Sequence, residues 1–574
     1  MSWNINQNPY NFVRFSERIV EKGANGEALE LPDHSVFSSS GNSGYIECEL
    51  TNETPLFCGG EIKDKNADHK KIEFFKLNGK LAIPSTSLKG MIRAFIETLT
   101  GSCMSIFDRD VLSYREMLRP SEMKCGMITT LAGRGAPGQI GEMQKMRVPI
   151  SEVRSFKNGD TVSFNISGTP QTAHIDSNGS HTGILKKNEK NIGLKNHERI
   201  YYNPAKQHFG FSQDEQTKYN RIVNTHIANW KRMNKPSGVT ETNFHRLSIG
   251  DLVIFQASGG NAFNLAYIEV PRLSYNNSRG YFLEKDIPEN YCTESQRCLA
   301  CRLFGYVDQK TKTNYSGRIS ISHGVISGDS TTSYTTIKPL GEPNPTSVNL
   351  YLVDEKDRTT VRDYNNAKIE RHGESFASSR TDIGGDVHLR GRKFYWHKKE
   401  KDVLENAKEE EKVKVNSTIE ALEAKAKFFF KVHFHNLTDF ELGLLLYALK
   451  LEGSMRHKLG MAKSLGFGTV KIDIQNLSID DMTKKYSSLN LDYRKKKTPE
   501  EIDKYIKEEF QTKIANFDDL VAVQDLRRIL DPARAPESLG YPEESDGKNY
   551  KWYMENKNKP LPLLLNQGKE VKSA

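Results

Sequence analysis

Cys292, Cys298 and Cys301 stand with five and two residues between them, and thiolates at that spacing can begin a tetrahedral zinc site. A fourth ligand must come from elsewhere, with His245 and His323 as candidates; the competing reading is a set of buried thiols. Cys48, Cys58, Cys103 and Cys125 show no ligand spacing and read as core or loop thiols. A second chemistry lies in Lys458-Leu-Gly-Met-Ala-Lys-Ser-Leu-Gly-Phe-Gly-Thr469, which sets Gly460, Gly466 and Gly468 around Lys463. Glycines let a backbone approach phosphates closely, and the lysine adds a point charge. The order Gly-x4-Gly-Lys-Ser/Thr is absent, so this is no Walker A loop. Lys89 and Arg93, one helical turn apart beside Ser85, Thr86 and Ser87, suit a backbone phosphate, or else a solvated charged face. Arg390-Gly-Arg-Lys-Phe-Tyr-Trp-His-Lys-Lys399 joins Arg390, Arg392 and Lys393 to three consecutive aromatics. That mixture neutralises phosphates and stacks bases, unless it is a strand with buried rings.

These groups need elements to hold them. Ile46, Cys48 and Leu50 alternate with Glu47, Glu49 and Thr51, the period of a half-buried strand. Leu88, Met91, Ile92, Phe95, Ile96 and Leu99 form one helical stripe, with Ser85, Thr86 and Ser87 as capping hydroxyls and Gly101 as the stop. Phe428, Phe430, Val432 and Phe434 mark another strand, and Thr438-Asp-Phe-Glu441 is a capping-box pattern. It opens a helix with Leu442, Leu445, Leu446 and Leu449 on one face; Val470, Ile472 and Ile474 then mark a last strand. The economical fold is α+β, a ferredoxin-like or RRM-type split βαβ sheet with helices on one face.

The chain divides by these signals into a first part of the core over 1–124, a mostly β insertion over 125–285 and a Cys-containing motif with a core strand over 286–324. An insertion with a charged helix over 325–425, the second part of the core over 426–476 and a helical tail over 477–574 follow. Within the β insertion, Ser258-Gly-Gly260 joins two apolar runs as a hairpin. Asp402 to Lys427, rich in Glu, Lys and Ala, reads as a solvated helix.

At 574 residues there is room for three or four domains, at ~100 to 200 residues each. No apolar run reaches the ~18 residues of a membrane span, and Met1 to Arg14 is polar, so the expectation is a cytoplasmic protein with no membrane partner. Seven cysteines agree with a reducing compartment. A net charge of +9 suits a polyanionic partner. Gly384-Gly-Asp-Val387 lacks the second aspartate of a polymerase-like Gly-Gly-Asp-Asp, and no Ser-His-Asp, dinucleotide or His-Glu-x-x-His signature is present.

Four blocks, Ile83-Pro-Ser-Thr-Ser-Leu-Lys-Gly90, Cys298-Leu-Ala-Cys-Arg-Leu-Phe-Gly305, Gly317-Arg-Ile-Ser-Ile-Ser322 and the glycine loop, together resemble the RAMP superfamily of CRISPR proteins in that family's own order. The likeness is to backbone subunits of type III effector complexes, although this chain is far longer. The resemblance implies an RRM-type core that holds CRISPR guide RNA, pairs it with target RNA and contacts other effector subunits in antiviral defence. It implies a thumb in the 325–425 insertion. In active members an acidic residue between the first strand and the Ile-Pro-x-x-Ser-Leu-Lys-Gly block cuts target RNA with a divalent metal; here that points to Asp68 with Mg²⁺, and to Asp64 as fallback. The alternatives are a non-catalytic RNA-binding subunit and a metal-independent RNA-processing endoribonuclease using His69 or His457.

Overall fold

Alternation and helical periodicity at the two ends of the chain meet in one sheet, although more than 300 residues lie between them. The protein is described here from a computed structural model covering residues 8–564 except 22–29, 39–40, 64, 66, 105, 116–122, 188–195, 233–245, 268–271, 288–291, 293–296, 309–311, 343, 373–374, 380, 399–402, 488, 490–491, 537–538 and 541–554. Two compact units emerge: one joins residues 1–109, 280–369 and 380–574, the other joins 110–279 and 370–379.

In the first unit the elements run β1 (Asn42–Asn52), α1 (Ser85–Leu99), β2 (Ile319–Ile321), β3 (Gly324–Ser327), β4 (Lys427–Leu437), α2 (Asp439–Lys450) and β5 (Thr469–Asp480). β1 lies between β5 and β4, and β2 with β3 lines the far edge of β4; every pairing is antiparallel. Registers such as Ile46↔Val432, Ile46↔Leu477 and Ile319↔Phe434 put the expected apolar sets on one face. Ile46, Cys48, Leu50, Phe428, Phe430, Val432 and Phe434 are buried there against Leu88, Ile92, Phe95 and Ile96 of α1. Each such side chain contributes about 1.5–3 kcal/mol by leaving water.

α2 departs from a one-faced helix, because every residue from Phe440 to Leu449 is buried. The tail covers its second face: Phe510 packs its ring against Phe440 at 5.2 Å and Tyr447 at 5.6 Å, and a Cβ at Gly443 would press on the Tyr505 carbonyl. The capping box forms as expected, Glu441 N–H donating to Thr438 Oγ1 at 3.1 Å and Thr438 N–H to Glu441 Oε2 at 3.1 Å. At α1 the reading of Ser85, Thr86 and Ser87 as caps needs correction. Pro84 is the cap residue, no side chain caps the helix, and the three hydroxyl residues are its first turn. A proline suits that place because its φ is already near the helical value and it has no N–H to satisfy.

The expected helix over 402–427 is also replaced. Only Val403–Ala407 is helical, and Ser417–Leu422 is a strand, pairing antiparallel with Thr332–Ile337 and parallel with Lys70–Phe74. Ile419, Ala421 and Leu422 are buried in it, so core packing overrides the helical composition of the stretch. The loop after β1 and the 325–425 insertion thus share one four-stranded sheet, closed by Gly59–Lys63. No helix among the described residues is long and apolar enough to cross a membrane.

The second unit is built on a nine-stranded sheet in which Gly138–Pro149 pairs with Lys124–Thr130, His197–Tyr202 and His208–Phe211. The Ser258-Gly-Gly260 hairpin forms between Leu252–Ser258 and Asn261–Ala266, with φ of 57° and 82° at Gly259 and Gly260. Helix Gln213–Arg232 places Tyr219 and Val223 in the core of this unit beside Phe209 and Phe255.

Candidate nucleic-acid interface

Segments far apart in sequence line one cavity of about 580 Å³ in the first unit, with Cys58, Gly59 and Leu530 completing its wall. The start of α1 supplies Thr86, Ser87 and Gly90; the strand Arg392–Tyr395 supplies Lys393, Phe394 and Tyr395; the glycine loop supplies Gly460 and Lys463. Among the described residues no carboxylate lines it. The first turn of α1 carries no acidic residue and no side-chain cap, so the positive end of its dipole is left for another group. Ser85 N–H donates to His323 Nδ1 at 3.2 Å and Ser87 N–H to Pro84 O at 3.0 Å.

Among the described residues no carboxylate pairs with the lysines of the cleft. Lys393 Nζ sits 3.6 Å from the centre of the Tyr10 ring, and burial followed by the nearby Lys463 charge pushes its pKa down to about 8. Lys463 Nζ donates to Gly460 O at 2.9 Å, and burial lowers it too. Lys458 Nζ donates to Gly466 O and Phe467 O, both at 2.9 Å, and burial with two neighbouring lysines depresses it well below the ordinary range. Burial makes the charged form of each lysine costly, and a negative group entering the cleft would favour that form.

The glycines serve first to shape the loop. Gly460 has φ of 84° and a Cβ there would meet the Phe57 carbonyl; Gly468 has φ of 75° and a Cβ there would meet the Leu459 carbonyl. A side chain at either position would meet backbone oxygen.

Other sequence candidates fall elsewhere. Lys89 and Arg93 lie beside the Phe304 ring at 6.0 and 5.8 Å, off the cavity, and Arg93 Nε donates to Glu97 at 2.8 Å. Arg390 and Arg392 are buried: Arg390 Nε donates to Leu352 O at 2.9 Å, and Arg392 reaches Ser102 O and Glu97. Trp396 is buried as well. Strand alternation therefore turns Lys393 outward and Arg392 inward, so that the aromatic–basic segment contributes one cation to the cavity. Tyr10, on a strand that pairs with Arg392–Tyr395, is a participant that no sequence signal marked.

The cysteine set is completed by a residue read as an ordinary thiol. Cys103, Cys292, Cys298 and Cys301 bring their sulfurs within 4.8 Å of one another, with Cys103 at 3.5 Å from Cys301 and 3.6 Å from Cys298. Neither histidine candidate takes part among the described residues: His323 stacks on Phe75, and His245 lies outside them. Sulfurs ~2.3 Å from a tetrahedral zinc would stand ~3.8 Å apart, close to these spacings. Mutual hydrogen bonding pushes Cys298 and Cys292 below the usual thiol range and Cys103 and Cys301 above it; a bound metal would require all four as thiolates.

Asp68 is an exposed residue in the turn before Lys70–Phe74, where its carboxylate meets Lys414 Nζ at 2.9 Å. That hydrogen bond and charge hold it below the ordinary carboxylate range. Asp64 lies outside the described residues. His69 has both ring nitrogens engaged, by Val413 O at 3.2 Å and Thr418 Oγ1 at 2.9 Å. His457 is buried with Nε2 on Ala448 O at 2.9 Å, and burial lowers its pKa to about 4. Neither is placed as a ready general base.

Residues 49–158 match the RAMP superfamily. Among solved structures the chain is similar to one described as the cryo-EM structure of the type III-B Cmr-beta bound to cognate target RNA. Identity is 8%, covering 75% of this chain and 97% of that chain, with a TM-score of 0.18, a superposition too loose to argue from. No curated protein matches the sequence. Of the four blocks, the family match takes in Ile83-Pro-Ser-Thr-Ser-Leu-Lys-Gly90: residues 49–158, which match the RAMP superfamily, hold the last four residues of β1, the loop that follows it and α1.

Proposed function

We propose that this protein is a guide-RNA-binding subunit of a type III CRISPR effector complex, with the α1–glycine-loop cavity as the seat of the RNA backbone. The observation that carries the reading is the convergence of Thr86, Ser87, Lys393 and Lys463 on one carboxylate-free cleft. The strand order β5-β1-β4 followed by β2 and β3, with helices after β1 and β4, supports a ferredoxin-like or RRM-type core. In this reading other effector subunits and target RNA are the remaining partners.

Lys393→Ala with Lys463→Ala is expected to lower affinity for unrelated RNA sequences alike, by about tenfold or more, and to flatten the salt dependence by about two, because phosphate contacts release counterions and carry no sequence information. Filter binding across a salt series measures both. Unchanged affinity and slope would reject the cleft. The same cleft gives a pH effect. Bound phosphate raises the Lys393 pKa above its free value near 8, so its contribution is full below pH 8 and fades as pH rises through the bound-state value. Lys393→Ala should remove that pH dependence.

Target cleavage is assigned to Asp68. An ionised carboxylate in an exposed loop fits Mg²⁺, which keeps most of its waters and binds through one or two carboxylates; the ion would neutralise charge on a phosphate. Asp68→Ala is expected to slow Mg²⁺-dependent cleavage by about a hundredfold and leave binding intact. If wild type and Asp68→Ala assembled with guide and matched target cut equally, or if neither cuts, the non-catalytic subunit is the right reading. The exposed Lys414 pairing, with no second described carboxylate beside it, is the observation on that side.

A further inference from the structure

In the second unit Arg115 and Arg272 face each other directly across a short antiparallel ladder, Ser113–Arg115 against Arg272–Ser274, with Ser113 opposite Ser274. Like charges so placed destabilise a sheet unless an anion joins them. A third guanidinium comes from helix Gln213–Arg232: Arg221 Nη1 donates to Ser274 Oγ at 3.2 Å, while Arg272 Nη1 donates to Ser113 Oγ at 3.1 Å. Among the described residues none of the three has a carboxylate partner, and the buried Arg272 Nε has no acceptor. The half-buried Tyr267 lies within the field of the same cations; burial raises its pKa to about 12 against the opposing pull of Arg272 and Arg115.

We infer that Arg115, Arg221 and Arg272 form a phosphodiester-binding site on the second unit, a nucleic-acid contact separate from the cleft. Guanidinium forks match phosphate oxygens bidentately. Ser113 Oγ and Ser274 Oγ brace two of the forks by accepting from them, and Ser274 itself donates to Tyr275 O at 3.1 Å; hydroxyls of this kind beside guanidiniums are common where proteins meet nucleic-acid backbones. An acidic peptide would satisfy the charge, but three forks with hydroxyls between them match the many acceptor oxygens of a phosphodiester chain better than isolated carboxylates.

The test uses the full chain, a labelled single-stranded 20-mer RNA and oligo-glutamate as competitor. Arg115→Gln, an exposed site whose change leaves the fold alone, should weaken RNA binding about threefold, and Arg115→Lys should restore most of it. The triple change with Arg221→Gln and Arg272→Gln should weaken it at least tenfold and lower the salt slope by up to about three, with circular dichroism unchanged. The effect should persist in a Lys463→Ala background, so failure of the cleft and failure of this site are read separately. Unaltered RNA affinity in Arg115→Gln and in the triple variant overturns the inference. So does displacement of RNA by oligo-glutamate at equal charge, which would make the site one for an acidic protein segment.

Discussion

We propose that the four-cysteine cluster holds zinc, so that chelation, or replacement of Cys298 with serine, is expected to cost the first unit several kcal/mol, the largest stability effect anticipated here. The cluster joins Cys103, just past the end of α1, to the 292–301 segment, and apparent binding energies of structural zinc reach about 10–16 kcal/mol in small domains. Part of that is recovered by thiol burial once the ion is gone. Elemental analysis should find about one zinc per chain, and a chelator should lower the melting temperature of the wild type but not of Cys298→Ser. Far less than one zinc, with melting insensitive to chelator, would leave a cluster of buried thiols. RNA affinity should fall with the metal, because Arg392, beside Cys103 and Cys298, sits on the strand that presents Lys393.

Glu441→Ala is expected to destabilise the protein by about 3–5 kcal/mol, the cost of leaving buried cations unpaired. Glu441 is fully buried between Arg302, at 2.9 Å, and Arg318, whose fork meets both carboxylate oxygens. Burial alone would raise its pKa, but the two guanidiniums hold it below 4.5. Its contribution is therefore full above the unfolded pKa and is lost as pH falls through the lower folded value. Denaturant unfolding at neutral and acid pH checks both. A change under 1 kcal/mol would mean that water reaches the two arginines. Arg302 and Arg318 come from the Cys-Arg-Leu-Phe-Gly and Gly-Arg-Ile-Ser blocks, so these motifs build the buried frame around the start of α2.

The core strands and α2 were legible because alternation and the capping box are local patterns that burial then confirms. Cys103 was not, since nothing in sequence joins it to cysteines more than 180 positions away. The burial of Arg392 is not legible in sequence because a four-residue strand gives no independent phase; the pairing of Arg392–Tyr395 with Tyr10–Val13 sets which side faces in. The 402–427 stretch looked helical by composition, and only its partners Thr332–Ile337 and Lys70–Phe74 make part of it a strand. Lys463 was legible by its glycines, while the cleft it shares with Lys393 is a tertiary fact.

The place of β1 in the sheet has a consequence for synthesis. Both its neighbours come late: Ile46 pairs with Val432 and Leu477. At roughly 5–20 residues per second the ribosome needs some 20 to 80 s to make the first of these after β1 itself. Throughout that interval β1 has two open edges and the apolar face of α1 lacks its native sheet. A chain truncated before Lys427 should accordingly be captured by chaperones or aggregate, whereas one ending after Asp480 holds every strand that flanks β1.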